Sequence, residues 1–189
     1  MSSFYTKFEL LNLRLKKIGN NVLISKFCQI YNPENISIGD NVRIDDFCVI
    51  SGGKFVDIGN YIHIASHCGI WGNRGVIMYD FSNISSGVKI YSESDDFKGF
   101  YLTGPVIPKK YRINTQNKEI ILNKHSLIGA NSVILPGINI GLGCVIGAQS
   151  LVNRDCEEWK IYGGIPIKEI GIRNKNILDL EKHLLNMKE

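Results

Sequence analysis

Residues 128–152 read IGANSVILPGINIGLGCVIGAQSLV and place an aliphatic residue at every sixth position: Ile128, Ile134, Ile140, Ile146 and Val152. An amphipathic helix would repeat apolar residues every three or four positions, and an ordinary strand would alternate them. A period of six instead indicates a stacked repeat, in which six residues form one side of a triangular prism and three sides form one coil. We therefore predict an all-β fold, a left-handed parallel β-helix of hexapeptide repeats.

The same spacing recurs upstream, with small shifts of register between blocks. The aliphatic positions there are Ile18, Ile24 and Ile30, then Ile38, Ile44, Ile50 and Val56, then Ile58, Ile64, Ile70 and Val76, and finally Ile84 and Ile90. Glycine and asparagine follow several of them, as in residues 38–41, and supply the backbone freedom that sharp corners require. Each coil buries its aliphatic residues only against neighbouring coils, so both ends of the stack need a cover.

The chain is predicted to form a single domain of five segments. Residues 1–17 read as an N-terminal helical cap, 18–90 as coils, 91–119 as an excursion loop, 120–173 as coils with an exit segment, and 174–189 as a C-terminal α-helix. The excursion breaks the period with prolines, glycines, aromatic and charged residues, and a loop of this length in a compact fold is commonly functional. The C-terminal helix is amphipathic and would cover the open end of the prism or dock on a neighbouring subunit.

Composition fits a soluble globular protein: 189 residues, 44% hydrophobic, 21% charged, with a net charge of +4. The basic residues are dispersed, whereas a nucleic-acid surface would need a continuous basic stripe. No apolar run reaches membrane-spanning length and no signal segment is evident, so we expect a cytoplasmic protein without membrane insertion. The cysteines at 28, 48, 68, 144 and 156 each fall four residues after a repeat aliphatic, and we interpret them as small core residues.

Several stretches together resemble the hexapeptide-repeat acyltransferases, in particular galactoside and maltose acetyltransferases and the enzymes that acetylate sugars of bacterial O-antigens and capsules. The sharpest are Ile128–Gly137, Ile146-Gly147-Ala148 and Tyr162-Gly163-Gly164-Ile165-Pro166. The resemblance implies a homotrimer with active sites between neighbouring prisms and acetyl-CoA as co-substrate. It also implies a set of CoA contacts: Gly129, Ala130, Gly147 and Ala148 along the pantetheine arm, Asn153 and Arg154 beside the nucleotide, and Arg154 or Arg173 on a phosphate.

The catalytic position departs from the family pattern. Galactoside-type enzymes carry a His general base at the start of the excursion loop, where this chain has Asp95. Three hypotheses follow: Asp95 or Asp96 is the base, with a pKa raised by its surroundings; His67 is the base and Asp95 orients it; or an amine acceptor reacts with little help, and Asp95 or Asp96 holds the sugar. We favour the pair of His67 and Asp95, with His63 as the substitute for His67.

The remaining candidates concern the acceptor. Ser86 lies in a turn that could supply amide donors for the tetrahedral intermediate, His63 shares an outward face with His67, and the loop aromatics Phe97, Tyr101 and Tyr111 suit stacking on a sugar ring. We predict acetyl transfer to a hydroxyl or amino group of a free or nucleotide-linked sugar, in surface-polysaccharide synthesis. Two alternatives stand beside it: a non-catalytic scaffold, and a zinc carbonic anhydrase. For the latter His63 and His67 lack a third ligand nearby, so no metal is predicted.

Overall fold

Three parallel sheets wrap around one apolar core and form the sides of a prism. The computed structural model describes residues 3–113 and 116–187. Sheet 1 contains β1 (Lys17–Ile18), β4 (Ile36–Ile38), β7 (Val56–Ile58), β10 (Val76–Met78), β15 (Ile120–Leu122) and β18 (Asn139–Ile140). Sheet 2 contains β2 (Leu23–Ile24), β5 (Arg43–Ile44), β8 (His63–Ile64), β11 (Asn83–Ile84), β16 (Leu127–Ile128), β19 (Val145–Ile146), β21 (Lys160–Gly163) and β22 (Lys168–Ile172). Sheet 3 contains β3 (Gln29–Tyr31), β6 (Val49–Ser51), β9 (Gly69–Trp71), β12 (Lys89–Tyr91), β17 (Val133–Ile134) and β20 (Leu151–Val152).

The elements outside the coils are short. They are the helices α1 (Lys7–Asn12) and α2 (Ile177–Asn186), the 3-10 turns Pro33–Asn35 and Lys109–Tyr111, and the antiparallel ribbon of β13 (Glu93–Ser94) with β14 (Gln116–Asn117). The ribbon closes the base of the excursion loop between β12 and β15. No helix in the described part of the chain combines the length and the apolarity needed to cross a membrane.

The predicted repeat positions form the core. In sheet 2, for example, Ile44, Ile64 and Ile84 stack in register with Ile128 and Ile146, and all are almost completely buried. All five cysteines are free and buried, as predicted for small core residues. The parallel β-helix of the sequence prediction is therefore confirmed.

Coil length differs between the two halves of the prism. Val56 pairs with Ile36, twenty residues earlier, whereas after the excursion Asn139 pairs with Ile121, eighteen residues earlier. The two additional residues of the early coils lie at the corner between sheets 3 and 1, as in residues 52–55. Successive coils stack so closely at that corner that a Cβ on Gly52 would lie 2.3 Å from the carbonyl oxygen of Asn32 in the coil before.

Both ends of the prism are covered, but differently from the prediction. Helix α1 spans six residues and does not extend to Lys17 as predicted. Thr6 and Glu9 form its capping box, and Leu10 packs on the core. The chain then leaves the helical conformation at Arg14, which has a φ of 56°. At the other end, the segment around β21 buries Cys156, Tyr162 and Ile167 against the last coil. The outermost predicted cap residues, 1–2 and 188–189, and residues 114–115 of the excursion loop lie outside the described residues.

Helix α2 lies against the side of the prism, not over its end. None of its side chains is buried, and its contact with the coils runs through Glu181, which lies 2.6 Å from Lys124 Nζ and 2.8 Å from His125 Nε2. Lys124 and His125 lie at the corner between sheets 1 and 2. The C-terminal helix is therefore confirmed as an element, but it does not close the prism.

Candidate active site

One edge of the prism, the corner between sheets 2 and 3, gathers most of the predicted cofactor residues. Because Ile84, Ile128 and Ile146 are register partners, the residues two positions later, Ser86, Ala130 and Ala148, follow one another up this edge. Main-chain bonds join the successive turns, with Asn131 N donating to Ser86 O at 2.9 Å and Gln149 N to Ala130 O at 2.7 Å. We call this row of corners the CoA edge.

Small residues shape the CoA edge for two different reasons. At Gly129 the backbone of the next coil is so close that a Cβ would lie 2.4 Å from Ala148 N, so the packing of the coils excludes a side chain. At Gly147 the nearest atoms to such a Cβ are Tyr162 O at 3.4 Å and Gly163 Cα at 3.7 Å, so the next strand leaves room for a methyl group. Ser150 supports the open end, since its hydroxyl donates to Gly147 O at 2.8 Å and accepts from Gly164 N at 3.1 Å. Ser86, Ala148 and Gln149 are exposed at the corners of this edge, so a narrow ligand can approach the main chain there.

Two of the three amides of the turn 85–87 are already used. Ser85 N donates to Ile128 O and Gly87 N donates to Ser66 O, both at 2.9 Å. Neither can also bind a developing oxyanion, so the proposed donor role falls to Ser86. Its exposed hydroxyl lies 3.4 Å from that of Ser66.

The excursion loop leaves the prism next to β12 and is anchored at Ser92. The buried Ser92 hydroxyl donates to Trp71 O at 2.8 Å and accepts from Arg74 N at 2.9 Å. Asp95 follows, half-buried, with Oδ2 accepting a long bond of 3.3 Å from Gly104 N. Its second carboxylate oxygen, Oδ1, is in none of the hydrogen bonds found for the described residues, so Asp95 retains capacity to bind a substrate proton.

Asp96 is committed to the loop itself. Its buried carboxylate accepts main-chain bonds from Lys98 at 2.9 Å, Phe100 at 2.6 Å and Tyr101 at 2.9 Å. The amide of Lys98 above all, with those of Tyr101 and Phe100, lowers the pKa of Asp96 against the opposing effect of burial. A general base needs the opposite shift and a free oxygen, so this geometry gives Asp96 the role of shaping the loop.

Comparison with known proteins identifies the family. No protein-family model matches the sequence. The solved structure of AntD from Bacillus cereus, an N-acyltransferase in complex with dTDP and 3-hydroxybutyryl-CoA, is 46% identical, covers 100% of this chain and 99% of its own, and superimposes with a TM-score of 0.95. The chain belongs to the hexapeptide-repeat acyltransferases.

Two further relatives agree with this family. A curated Escherichia coli protein, dTDP-4-amino-4,6-dideoxy-D-glucose acyltransferase, is 42% identical over 100 residues, or 53% of this chain, and the chain spans about half (52%) of that relative's length. A hexapeptide-repeat acetyltransferase from Vibrio cholerae shares the fold at 19% identity, with a TM-score of 0.55 over 89% of this chain and 80% of its own. The family resemblance inferred from the sequence is therefore confirmed.

Within the described residues of one chain, the two outward histidines contact residues other than Asp95, so the pair of His67 and Asp95 stays a prediction. The ring of His67 packs against Phe47 with centroids 5.1 Å apart, and within the described residues no hydrogen bond or ion pair joins His67 to Asp95. His63 is engaged by Asp45, whose Oδ2 lies 2.7 Å from His63 Nε2. Across residues 3–113 and 116–187, no three His, Cys, Asp or Glu side chains are grouped so that they could hold a metal ion.

The predicted nucleotide-end residues separate into two places. Asn153 and Arg154 are exposed where β20 ends, on the opposite side of sheet 3 from the CoA edge, and the Arg154 guanidinium lies 6.0 Å from the centroid of the Tyr162 ring. Arg173 instead lies at the corner between sheets 1 and 2, where its Nη1 donates to His125 O at 2.5 Å and Gly143 O at 3.2 Å. Arg173 thus holds the exit segment on the coils through Nη1, and the phosphate contact expected for it stays a prediction.

The loop aromatics are presented to solvent. Phe97 is 89% exposed, Tyr101 and Tyr111 are also exposed, and the ring of Tyr111 lies under Lys110 Nζ at 4.7 Å. They do not form a miniature core within this chain, so they remain available to a ligand or a second subunit.

Sequence reasoning missed one group next to the loop anchor. Trp71 and Tyr91 are register partners at the ends of β9 and β12, and their rings stack with centroids 4.5 Å apart and planes within 5°. The signal was present in the sequence as aromatic residues at 31, 71 and 91, which share one position of the twenty-residue coil.

Proposed function

We propose that this protein transfers an acyl group from acyl-CoA to the amino group of a dTDP-linked amino sugar. The observation that carries the proposal is the similarity to AntD along the whole chain, because AntD is an N-acyltransferase solved with coenzyme A and dTDP-4-amino-4,6-dideoxyglucose. The Escherichia coli relative is named for acylation of the same amino sugar. Of the hydroxyl and the amine that the sequence prediction left open, this similarity supports the amine. A role in surface-polysaccharide synthesis stays a prediction.

Asp95 is the residue we assign to the proton transfer. Structures of AntD include variants in which one serine or one aspartate, ten positions apart, is replaced. Ser85 and Asp95 have this separation, and so do Ser86 and Asp96. Because the Asp96 carboxylate is fully engaged by main-chain amides, Asp95 is the member of the two whose oxygens can accept a proton.

The proposed reaction combines Asp95, which accepts a proton from the sugar, with the CoA edge, which holds the thioester. The sugar ammonium gives a proton to Asp95, and the neutral amine attacks the thioester carbonyl carbon of acyl-CoA. The carbonyl oxygen takes up the negative charge and is stabilised by a hydroxyl donor of the turn 85–87. Ser85 is the serine ten positions before Asp95, and the Ser86 hydroxyl beside it is exposed. Collapse of the intermediate breaks the C–S bond, forms the amide and releases CoA, whose sulfur takes up the second nitrogen proton through solvent.

We further propose that the working unit is a homotrimer with the sites between prisms. The isolated chain leaves Phe97 89% exposed and Val106 90% exposed on the excursion loop, and the apolar side of α2 is also uncovered, with Leu180 59% exposed. Exposed apolar side chains of this kind are typical of an interface. A neighbouring prism that covers the loop would also bring a second wall to the CoA edge.

A thiol-release assay tests the function. Wild type should release CoA from acetyl-CoA or 3-hydroxybutyryl-CoA when given dTDP-4-amino-4,6-dideoxyglucose, but not with free sugars. Asp95→Asn should reduce turnover by about 100-fold or more, as loss of a general base does, whereas His67→Ala should retain most activity. Turnover that survives Asp95→Asn and is lost in His67→Ala would overturn the assignment of the base.

A further inference from the structure

An incomplete aromatic ladder runs along the outer face of sheet 3. Tyr31, Ser51, Trp71 and Tyr91 are successive register partners in β3, β6, β9 and β12, so their side chains leave the sheet one above another. Three of the four are aromatic, and the small residue Ser51 leaves a gap between two of them. We call this place the Ser51 gap.

The Ser51 gap has the height of one planar ring. Neighbouring strands lie about 4.8 Å apart, so Tyr31 and Trp71 leave the sheet roughly 9.5 Å apart. The Trp71 and Tyr91 rings, one strand apart, are parallel with centroids 4.5 Å apart, so the other face of Trp71 is directed down the ladder, toward Ser51. A flat ligand ring in the gap would continue the ladder at the spacing that Trp71 and Tyr91 already show.

The Trp71 indole is held in place by contact with the sheet. A Cβ on Gly69 would lie 2.4 Å from Trp71 Cη2, so glycine at this position lets the ring edge rest on the sheet. Trp71 O also accepts the Ser92 hydroxyl that anchors the excursion loop. The platform and the loop that carries Asp95 are therefore fixed to the same residue.

Cationic residues lie near both ends of the strand that carries the platform. The aliphatic stem of Lys89 passes beside the indole over Gly69, and Lys89 Nζ donates to His67 O. At the other end of the strand, Arg74 follows Trp71 and pairs with Glu93 at 3.3 Å, and the exposed Lys54 lies one coil below. A planar ring flanked by positive charge is the surface expected for a nucleotide, whose base stacks and whose phosphates pair with the cations.

Two nucleobases are available in the proposed reaction, the thymine of the acceptor and the adenine of CoA. The expected CoA contacts Gly129, Ala130, Gly147 and Ala148 lie in the coils after the excursion, and the loop that carries Asp95 leaves the prism between these and the earlier coils. The acceptor therefore approaches from the side of β3, β6 and β9, where the Ser51 gap lies. We propose that the gap holds the thymine base of the dTDP-linked acceptor, stacked on Trp71; this rests on the proposed function.

Tryptophan fluorescence tests the stacking directly, because the chain has two tryptophans and Trp159→Phe leaves only Trp71. In Trp159→Phe, dTDP should quench the fluorescence of Trp71 with the same concentration dependence as its binding by calorimetry. Binding of dTDP without quenching would overturn the proposal. Quenching by CoA and not by dTDP would assign the gap to adenine and also overturn it.

A substitution that fills the Ser51 gap provides a second test of the stacking proposal. Ser51→Tyr should weaken dTDP binding by about tenfold or more while CoA binding is unchanged, whereas the matched variant Ser37→Tyr, outward on sheet 1 in the same coil, should bind both as wild type does. Equal dTDP affinity in Ser51→Tyr and wild type would refute the stacking site alone. If wild type itself binds no dTDP, the proposed function is refuted together with the stacking site. Failure of the stacking site alone therefore gives a different result from failure of the proposed function.

Discussion

The two glycines of the CoA edge should respond in opposite ways to the same substitution. In Gly129→Ala the added methyl group meets only backbone, at 2.4 Å from Ala148 N, 2.6 Å from Gly147 C and 2.8 Å from Ala148 Cα. Backbone cannot move aside as a flexible side chain can, so the coils must separate locally. Overpacking of this kind costs about 1–3 kcal/mol. In a chain of this size that corresponds to a fall in Tm of roughly 2 to 12 °C.

Gly147→Ala is the matched control, because its methyl group would lie 3.4 Å from Tyr162 O, an ordinary contact. Its Tm should stay within about 1 °C of wild type by circular dichroism, although the methyl group is added to the edge along which CoA is proposed to lie. CoA affinity, measured by calorimetry, should therefore fall in Gly147→Ala without loss of stability. Equal melting temperatures for Gly129→Ala and wild type, or an equal loss in both variants, would refute this account of the coil spacing.

Three further predictions concern the loop, the C-terminal helix and the thiols. Asp96→Ala removes the acceptor of three amides, so limited proteolysis should cut the excursion loop faster while the Tm of the coils changes little; a loop as resistant as wild type would contradict the role given to this carboxylate. Burial raises the pKa of Glu181, but the bonds from Lys124 and His125 outweigh it and the net pKa is lowered. Its contribution to docking α2 should thus be present at neutral pH and be lost as the pH falls below about 4, seen as faster hydrogen exchange in α2; exchange independent of pH, after correction for the intrinsic rate, would argue against it. Burial raises the pKa of Cys28 to about 12 and all five thiols are buried, so none should react with a thiol reagent until denaturant is added.

The sequence predicted the coils well because the core imposes a strict geometry on them. An aliphatic residue must face inward once per side, so Ile44, Ile64 and Ile84 recur in phase and can be recognised without a structure. The corner between sheets 3 and 1 can take two additional residues without disturbing this stacking, which explains why the early coils contain twenty residues and the later ones eighteen.

The ends of the chain were harder to predict because tertiary contacts decide them. The amphipathic pattern of residues 3–17 gives no sign that Phe4 bridges to Ser25 or that Arg14 adopts a positive φ, and these features limit α1 to Lys7–Asn12. Likewise, the position of α2 depends on Glu181 meeting two residues 56 and 57 positions earlier in the chain. No local sequence pattern predicts a contact between residues so far apart in the chain.

The candidate site likewise combines features that the sequence predicts with features that depend on tertiary contacts. Small residues on the CoA edge follow from the repeat, and Asp95 follows from its place at the start of the excursion. Which of two adjacent carboxylates is available for chemistry depends on the amides of Lys98, Phe100 and Tyr101, and thus on the folded loop. The Arg173 contacts with His125 O and Gly143 O are equally long-range.

The most direct test of the central claim is mass spectrometry of the acceptor after incubation with acetyl-CoA and dTDP-4-amino-4,6-dideoxyglucose. We predict one acetyl group per sugar, placed on the amino nitrogen, in amounts equal to the CoA released. Acetyl transfer that occurs equally well with sugars lacking the amino group, or no change in the mass of the dTDP-linked sugar, would contradict the account.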